Sequence, residues 1–220
     1  MISTIKEDFK PPERTFVFTT SSLDLFNEYK NLKFHKPILD AVEKGKVNAV
    51  VTPLELAKLK KYVGEGKYRK TYVAVFKSPK SKVFCMEMDL YSKRSLPCYS
   101  QLFNSLLSSH LADLSSAITS IELMIPLITD DDHHWSVQQN LRKAYDERHR
   151  KEIADCLARK ERRKYFEMYT SKDFCEMFFS LSSTGSKLQL SLSFDVQPLK
   201  YESWYSRSSF ALWELSKMAF

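Results

Sequence analysis

Residues Val47–Val51 form a compact, mainly apolar run closed by Gly45 on one side and by Thr52-Pro53-Leu54-Glu55 on the other. Its length, valine content and flanking turn residues make it a strand. The residues just beyond it have the capping-box arrangement, with Thr52 as cap, Pro53 at the first helical position and Glu55 at the third. The helix they open runs through Leu56, Leu59 and Val63 to Gly64. A strand delivered directly into a capped helix is the unit of an alternating α/β sheet.

The same unit is legible elsewhere. Thr15–Thr20 reads as a strand, and Ser21 and Ser22 cap a helix carrying Leu23, Phe26 and Tyr29. Pro37 reads as the first-turn proline of a second short helix with Ile38, Leu39 and Val42. Thr71–Phe76 and Val83–Leu90, joined by Ser78-Pro79-Lys80-Ser81, predict a β-hairpin. Pro97 opens a long helical stretch through Leu102, Leu106, His110, Leu114 and Ile118, and a strand comes next at Ile125–Thr129. The spacing predicts one long charged helix over 135–169, a helix over 173–181, an amphipathic strand over 188–196 and a closing helix over 206–220. Three regions are expected: a flexible tail (1–14), an α/β domain (15–134), and a basic long helix with an α+β remainder (135–220).

Charge is distributed unevenly. The chain of 220 residues carries +7. Between Arg142 and Lys164 stand ten basic and five acidic residues, a local +5 that leaves +2 for everything else. A concentrated basic stripe suits a polyanion. Only four glycines occur, and Gly64-Glu65-Gly66 lacks the lysine of a phosphate loop. No Gly-x-Ser-x-Gly elbow is present. Cys85, Cys98, Cys156 and Cys175 show neither metal-finger nor Cys-x-x-Cys spacing and read as reduced thiols, hence an intracellular protein, cytoplasmic or nuclear. The acids and proline pair of the first 14 residues do not resemble a secretory signal, and the longest uncharged apolar run, 124–128, cannot span a bilayer.

Three stretches together carry a family resemblance. Val17-Phe18-Thr19-Thr20-Ser21-Ser22-Leu23 resembles the first strand and turn of PIN-type nuclease domains. Val50 to Leu59 resembles their second strand and following helix. Ala112-Asp113, then Ile125-Pro126-Leu127-Ile128-Thr129-Asp130-Asp131, resembles their late acidic helix and last acidic turn. The resemblance covers residues 15 to about 135 and implies a three-layer α/β sheet, here with a hairpin insert. It also implies carboxylates at the sheet's carboxyl edge holding Mg²⁺ or Mn²⁺ for phosphodiester hydrolysis. Of the four acids expected, Asp113 and Asp131 are present, while Thr19 and Lys58 stand in the other two positions. Asp24 and Glu55 lie near in sequence. An ammonium in that cluster would repel a metal or stand in for one, so the resemblance implies a degenerate centre and no cofactor.

Asp130-Asp131-Asp132-His133-His134 offers metal ligands, yet adjacent residues on a turn rarely face one ion, and carboxylates before a helix satisfy its N–H groups. Capping is the stronger reading. The stripe itself points to phosphate contacts from Arg148, Arg150, Lys151, Arg159, Arg162, Arg163 and Lys164; against this stands a solvated face of Glu–Arg pairs. Tyr99, Phe103, Phe174, Phe178, Phe179 and Trp213 are read as core. The leading expectation is thus a non-catalytic RNA- or DNA-binding protein. A nuclease using Asp113 and Asp131 is the first alternative. An assembly or scaffold protein, perhaps of viral origin, with a protein partner or self-association, is the second.

Overall fold

The computed structural model describes residues 2–5, 9–23, 32–64, 76–86, 96–106, 110–160 and 165–179. The described elements, in chain order, are β1 (Ile2–Ile5), β2 (Thr15–Phe18), α1 (Thr20–Leu23), α2 (Leu32–Glu43), β3 (Asn48–Val51), α3 (Pro53–Gly64), β4 (Val83–Met86), α4 (Leu96–Ser105), α5 (Leu111–Leu123), β5 (Leu127–Ile128), α6 (Asp132–Ser136), α7 (Gln138–Arg148), α8 (Arg150–Ala158), β6 (Met168–Tyr169) and α9 (Ser171–Phe179). The six strands form one sheet, ordered β1-β4-β3-β2-β5-β6, with every pairing parallel.

A parallel sheet is buried on both faces, and the strands are built for that. Val17, Val50, Met86, Leu127 and Met168 point to one face, where Tyr99, Leu102, Leu114, Ile121, Leu141, Tyr145 and Ile153 of α4, α5, α7 and α8 cover them. Phe16, Phe18, Ala49, Val51, Val83, Ile128 and Tyr169 point to the other, covered by Phe34, Ile38, Val42, Leu59 and Phe174 of α2, α3 and α9. Registers such as Val17↔Val50 and Val17↔Leu127 keep like faces aligned across strands. The expected α/β class with a layered sheet is therefore observed. Among the described residues, no helix is long and apolar enough to cross a membrane.

Several expectations need correction. Residues 2–5, expected in a flexible tail, supply the edge strand β1, and Ile5 is fully buried. Val83–Met86 is no hairpin arm in an insert; it pairs in parallel with both β1 and β3 inside the main sheet. The other proposed arm, 71–75, lies outside the described residues. Pro37 sits inside α2, which begins at Leu32. The long stretch after Pro97 is two helices, α4 and α5. The helix expected over 135–169 is three, α6, α7 and α8, and its last expected residues are strand β6. The breaks fall at Val137 and His149, both outside helical geometry and both buried. Because β6 joins β5 in the same sheet, the described part of 135–179 is continuous with the α/β unit. The strand expected at 188–196 and the helix at 206–220 lie outside the described residues.

Gly45 closes α2. Its N–H reaches the Val42 carbonyl (3.0 Å), the Lys46 N–H reaches Ala41 (2.9 Å), and Gly45 adopts φ +68°, a Schellman turn. A Cβ there would lie 2.4 Å from the Lys80 carbonyl oxygen. Gly45→Ala is therefore expected to lower stability by at least ~1–2 kcal/mol, the cost of a left-handed non-glycine residue, with the displaced carbonyl adding to it. Urea unfolding reads this directly, and an unchanged midpoint would refute it.

Candidate functional site

Leaving β2, the chain crosses the second face through α2 to reach β3; leaving β5, it crosses the first face through α7 and α8 to reach β6. Connections that diverge from neighbouring strands open a crevice at their carboxyl ends, the usual ligand position in open α/β sheets. Here the crevice begins with hydroxyls. Thr19, just past β2, donates its Oγ1–H toward Thr129 Oγ1 (3.1 Å), and Ser21 Oγ lies 2.8 Å from Thr19 Oγ1. The backbone N–H of Asp130 donates to Ser21 (3.2 Å) and that of Asp131 to Thr129 (3.1 Å). Behind them His134 is fully buried. Its Nε2–H donates to the Asp113 carbonyl (2.9 Å), so Nδ1, 3.4 Å from Thr129 Oγ1, is the acceptor. Burial lowers the His134 pKa despite the nearby Asp113 and Asp131, keeping the ring neutral.

The acidic centre lies beside this network. Thr52 caps α3 as expected, its Oγ1 accepting from the Glu55 N–H (3.2 Å). Glu55 does not complete the box. Its side chain crosses to β2's end, where Oε2 accepts from the N–H (2.7 Å) and the hydroxyl of Thr20. One turn on, Lys58 places Nζ 3.2 Å from Asp113 Oδ1 and 3.7 Å from Glu55 Oε1. His110 Nδ1 lies 3.2 Å from the other Asp113 oxygen, and its ring packs against that of His133, the centroids 3.7 Å apart and the planes tilted by 42°. Both carboxylates are almost wholly buried, whereas Lys58 is 42% exposed, so the ammonium closes the acids off from solvent. Glu55 Oε1 has no hydrogen bond. Burial, the largest influence on Glu55, raises its pKa; Lys58 and Thr20 oppose this without reversing it. Burial also disfavours the Lys58 cation, but Glu55, Asp113 and Asp131 outweigh it and hold the ammonium charged.

The three successive aspartates separate. Asp130 turns away from the crevice and binds buried His35 (2.6 Å) and the Ser171 N–H (2.9 Å), joining α2, the β5 edge and α9. Those hydrogen bonds lower its pKa against the opposing effect of burial. Asp131 caps α6, accepting from the His133 N–H (3.0 Å). Asp132 faces solvent in that helix's first turn. Among the described residues, no group of three or more His, Cys, Asp or Glu side chains is arranged to hold a metal ion.

The positions picked out by the sequence thus divide in two. Thr19, Lys58, Asp113 and Asp131 do converge at the carboxyl edge. The described members of the basic set do not share one environment. Arg148 is a bidentate partner of Glu122, with contacts of 2.9–3.0 Å, and the Tyr99 hydroxyl donates to the same carboxylate. It fastens α7 to α4 and α5 and is withdrawn from phosphate contact. Arg150, Lys151 and Arg159 are exposed. Arg162, Arg163 and Lys164, like Asp24, lie outside the described residues. A groove of about 540 Å³ runs along α7 and α8, bordered by Arg142, Lys143 and Arg150 with Asp146 and Glu147, and shares no lining residue with the crevice.

Comparison with protein-family models, curated proteins and solved structures found no match to this chain.

Sequence reasoning under-read Glu55, whose place in a capping box hid its reach to Thr20, weighed His134 only as part of the acidic run, and missed His35 and His110. Pairing of His35 with Asp130 joins residues 95 positions apart and left no local signal.

A carboxyl whose folded pKa is raised stabilises the fold fully below its unfolded value, near 4.5, and that contribution is lost as pH rises through the folded value. Glu55→Gln keeps an acceptor for Thr20 and removes the buried charge. It is expected to melt above the native chain at pH 8, the gain vanishing near pH 4. Lys58→Met, which leaves the acids without their cation, is expected to destabilise at pH 8. The loss should be below the ~3–5 kcal/mol of a fully buried pair because Lys58 is partly solvated, and it should narrow on acidification. Thermal melts across pH check both signs.

Proposed function

We propose that this chain is a non-catalytic, PIN-like nucleic-acid-binding protein. Its acidic centre is closed by Lys58, and cations along α8 contact the phosphates of RNA. The observation that carries the reading is the state of those cations. Arg150, Lys151 and Lys160 are exposed and make no ion pair among the described residues. Of the two exposed acids between them in sequence, Glu152 lies toward His149, at 3.9 Å, and Asp155 makes no ion pair among the described residues. A face of mutually neutralised Glu–Arg pairs, the competing explanation of this composition, does not account for Arg150, Lys151 and Lys160. Only Ile153 of α8 is buried, so the helix presents nearly its whole circumference to solvent. The groove along α7 and α8 extends the basic surface through Lys143 and Arg142.

The closed centre supports the non-catalytic half of the proposal. A divalent ion would have to displace an ammonium already held by Glu55 and Asp113, at a site where Thr19 offers a hydroxyl in place of a carboxylate. Mn²⁺-dependent RNA cleavage lost in Asp131→Asn would overturn this half.

Replacing Arg150, Lys151 and Lys160 together by Glu is expected to weaken RNA binding strongly and to reduce the slope of log affinity against log salt by roughly 2–3. The fold should remain intact by circular dichroism. Reversing Arg162, Arg163 and Lys164 should act in the same direction. Unchanged affinity in filter binding for both triples removes the reading.

A further inference from the structure

The stretch 165–167 is non-helical and leads into β6. Phe166 is buried in the same core as Ile153 of α8, with its ring 6.4 Å from that of Tyr145 on α7. Phe166 is thus anchored in the core, whereas its neighbour Tyr165 lies at the surface. Tyr165 is 50% exposed. Every other Phe, Tyr or Trp ring with a described side chain is buried or half-buried. Its one companion among exposed large apolar residues, within the described part of the chain, is Leu157, 56% exposed on the last turn of α8. Both therefore belong to the segment that carries the cations: Leu157 stands between Lys151 and Arg159 in sequence, and Tyr165 directly follows Arg162-Arg163-Lys164.

An exposed aromatic ring among cations is the combination that binds single-stranded nucleic acid, the charges following the backbone while unpaired bases stack on the ring. In a duplex those base faces are covered by neighbouring pairs. We infer that the surface formed by α8 and Tyr165 selects single strands over duplexes, a base stacking on Tyr165 while phosphates lie against Arg150, Lys151 and Lys160. This rests on the nucleic-acid reading above and gives it a ligand class. A protein partner would also favour an exposed tyrosine, but the exposed cations of the segment that precedes it in sequence, Arg150, Lys151 and Lys160, favour a polyanion.

The test uses the full chain and fluorescence anisotropy with three probes: a 12-nucleotide oligo(U), a 12-base-pair RNA duplex and a heparin fragment. Native protein is expected to bind oligo(U) more tightly than the duplex. Tyr165→Ala and Tyr165→Leu should each lose roughly five- to hundredfold on oligo(U), with heparin affinity and the salt slope unchanged. Tyr165→Trp should retain binding. Tyr165→Ala that binds oligo(U) like the native chain, or a native preference for duplex, overturns the inference and leaves phosphate contact standing. Absence of binding to all three probes overturns the nucleic-acid reading beneath it.

Discussion

Parallel pairing sets the terms for this molecule. Strands joined only in parallel cannot turn back on themselves, so each must be followed by a crossover, and both faces of the sheet must be covered. Phe16, Val17 and Phe18 show the consequence in three residues, alternating between the two cores. Once β2 sits between β3 and β5, with their crossovers on opposite faces, the crevice at their carboxyl ends results from topology. Thr19, Thr20, Thr52, Thr129 and Asp131 enter it because each lies at a strand end or in the turn just beyond, Glu55 and Asp113 because each lies near a helix start, and Lys58 because it stands one turn beyond Glu55 on α3.

A closed electrostatic unit fills that crevice. Two buried carboxylates share one ammonium, a neutral histidine is fixed by a backbone carbonyl, and hydroxyls join β2 to β5. Removing two charges from water carries a desolvation cost that close geometry must offset. Here it is offset only in part, since the Glu55 carboxyl remains raised and one of its oxygens lacks a hydrogen bond. The arrangement holds the β3–α3 turn to α5, and its one partly solvated member is the lysine. It is a device for closing an acidic edge. Exposed cations without an ion pair among the described residues lie elsewhere, Arg150 and Lys151 of α8 among them.

The separation of Arg148 from its neighbours shows how packing selects among like charges. Arg148 and Lys151 are three residues apart in one basic run, yet the bend at His149 leaves the first against Glu122 of α5 and the second in solvent. At that bend the His149 ring donates from Nε2 to the Ile121 carbonyl near the end of α5. Charge counting along the chain registers both residues equally; only the break between α7 and α8 distinguishes them.

Local patterns determined the strands 15–18 and 48–51, the cap at Thr52, the glycine stop at residue 45 and the cap at Asp131, because each depends on hydrogen bonds within a few residues or on the turn residues that bound it. The placement of Asp113 and Lys58 at one centre was legible only through family resemblance. Tertiary structure alone decided that residues 2–5 join the sheet, that 83–86 is an interior parallel strand, that Asp130 faces His35 and that Glu55 reaches Thr20. Each of these joins groups tens of residues apart, and backbone pairing or burial of a carboxylate is fixed by which neighbour the fold supplies. The aromatic residues divide on the same principle. Composition counts them alike, but the fold buries Phe166 in the core and leaves its neighbour Tyr165 exposed.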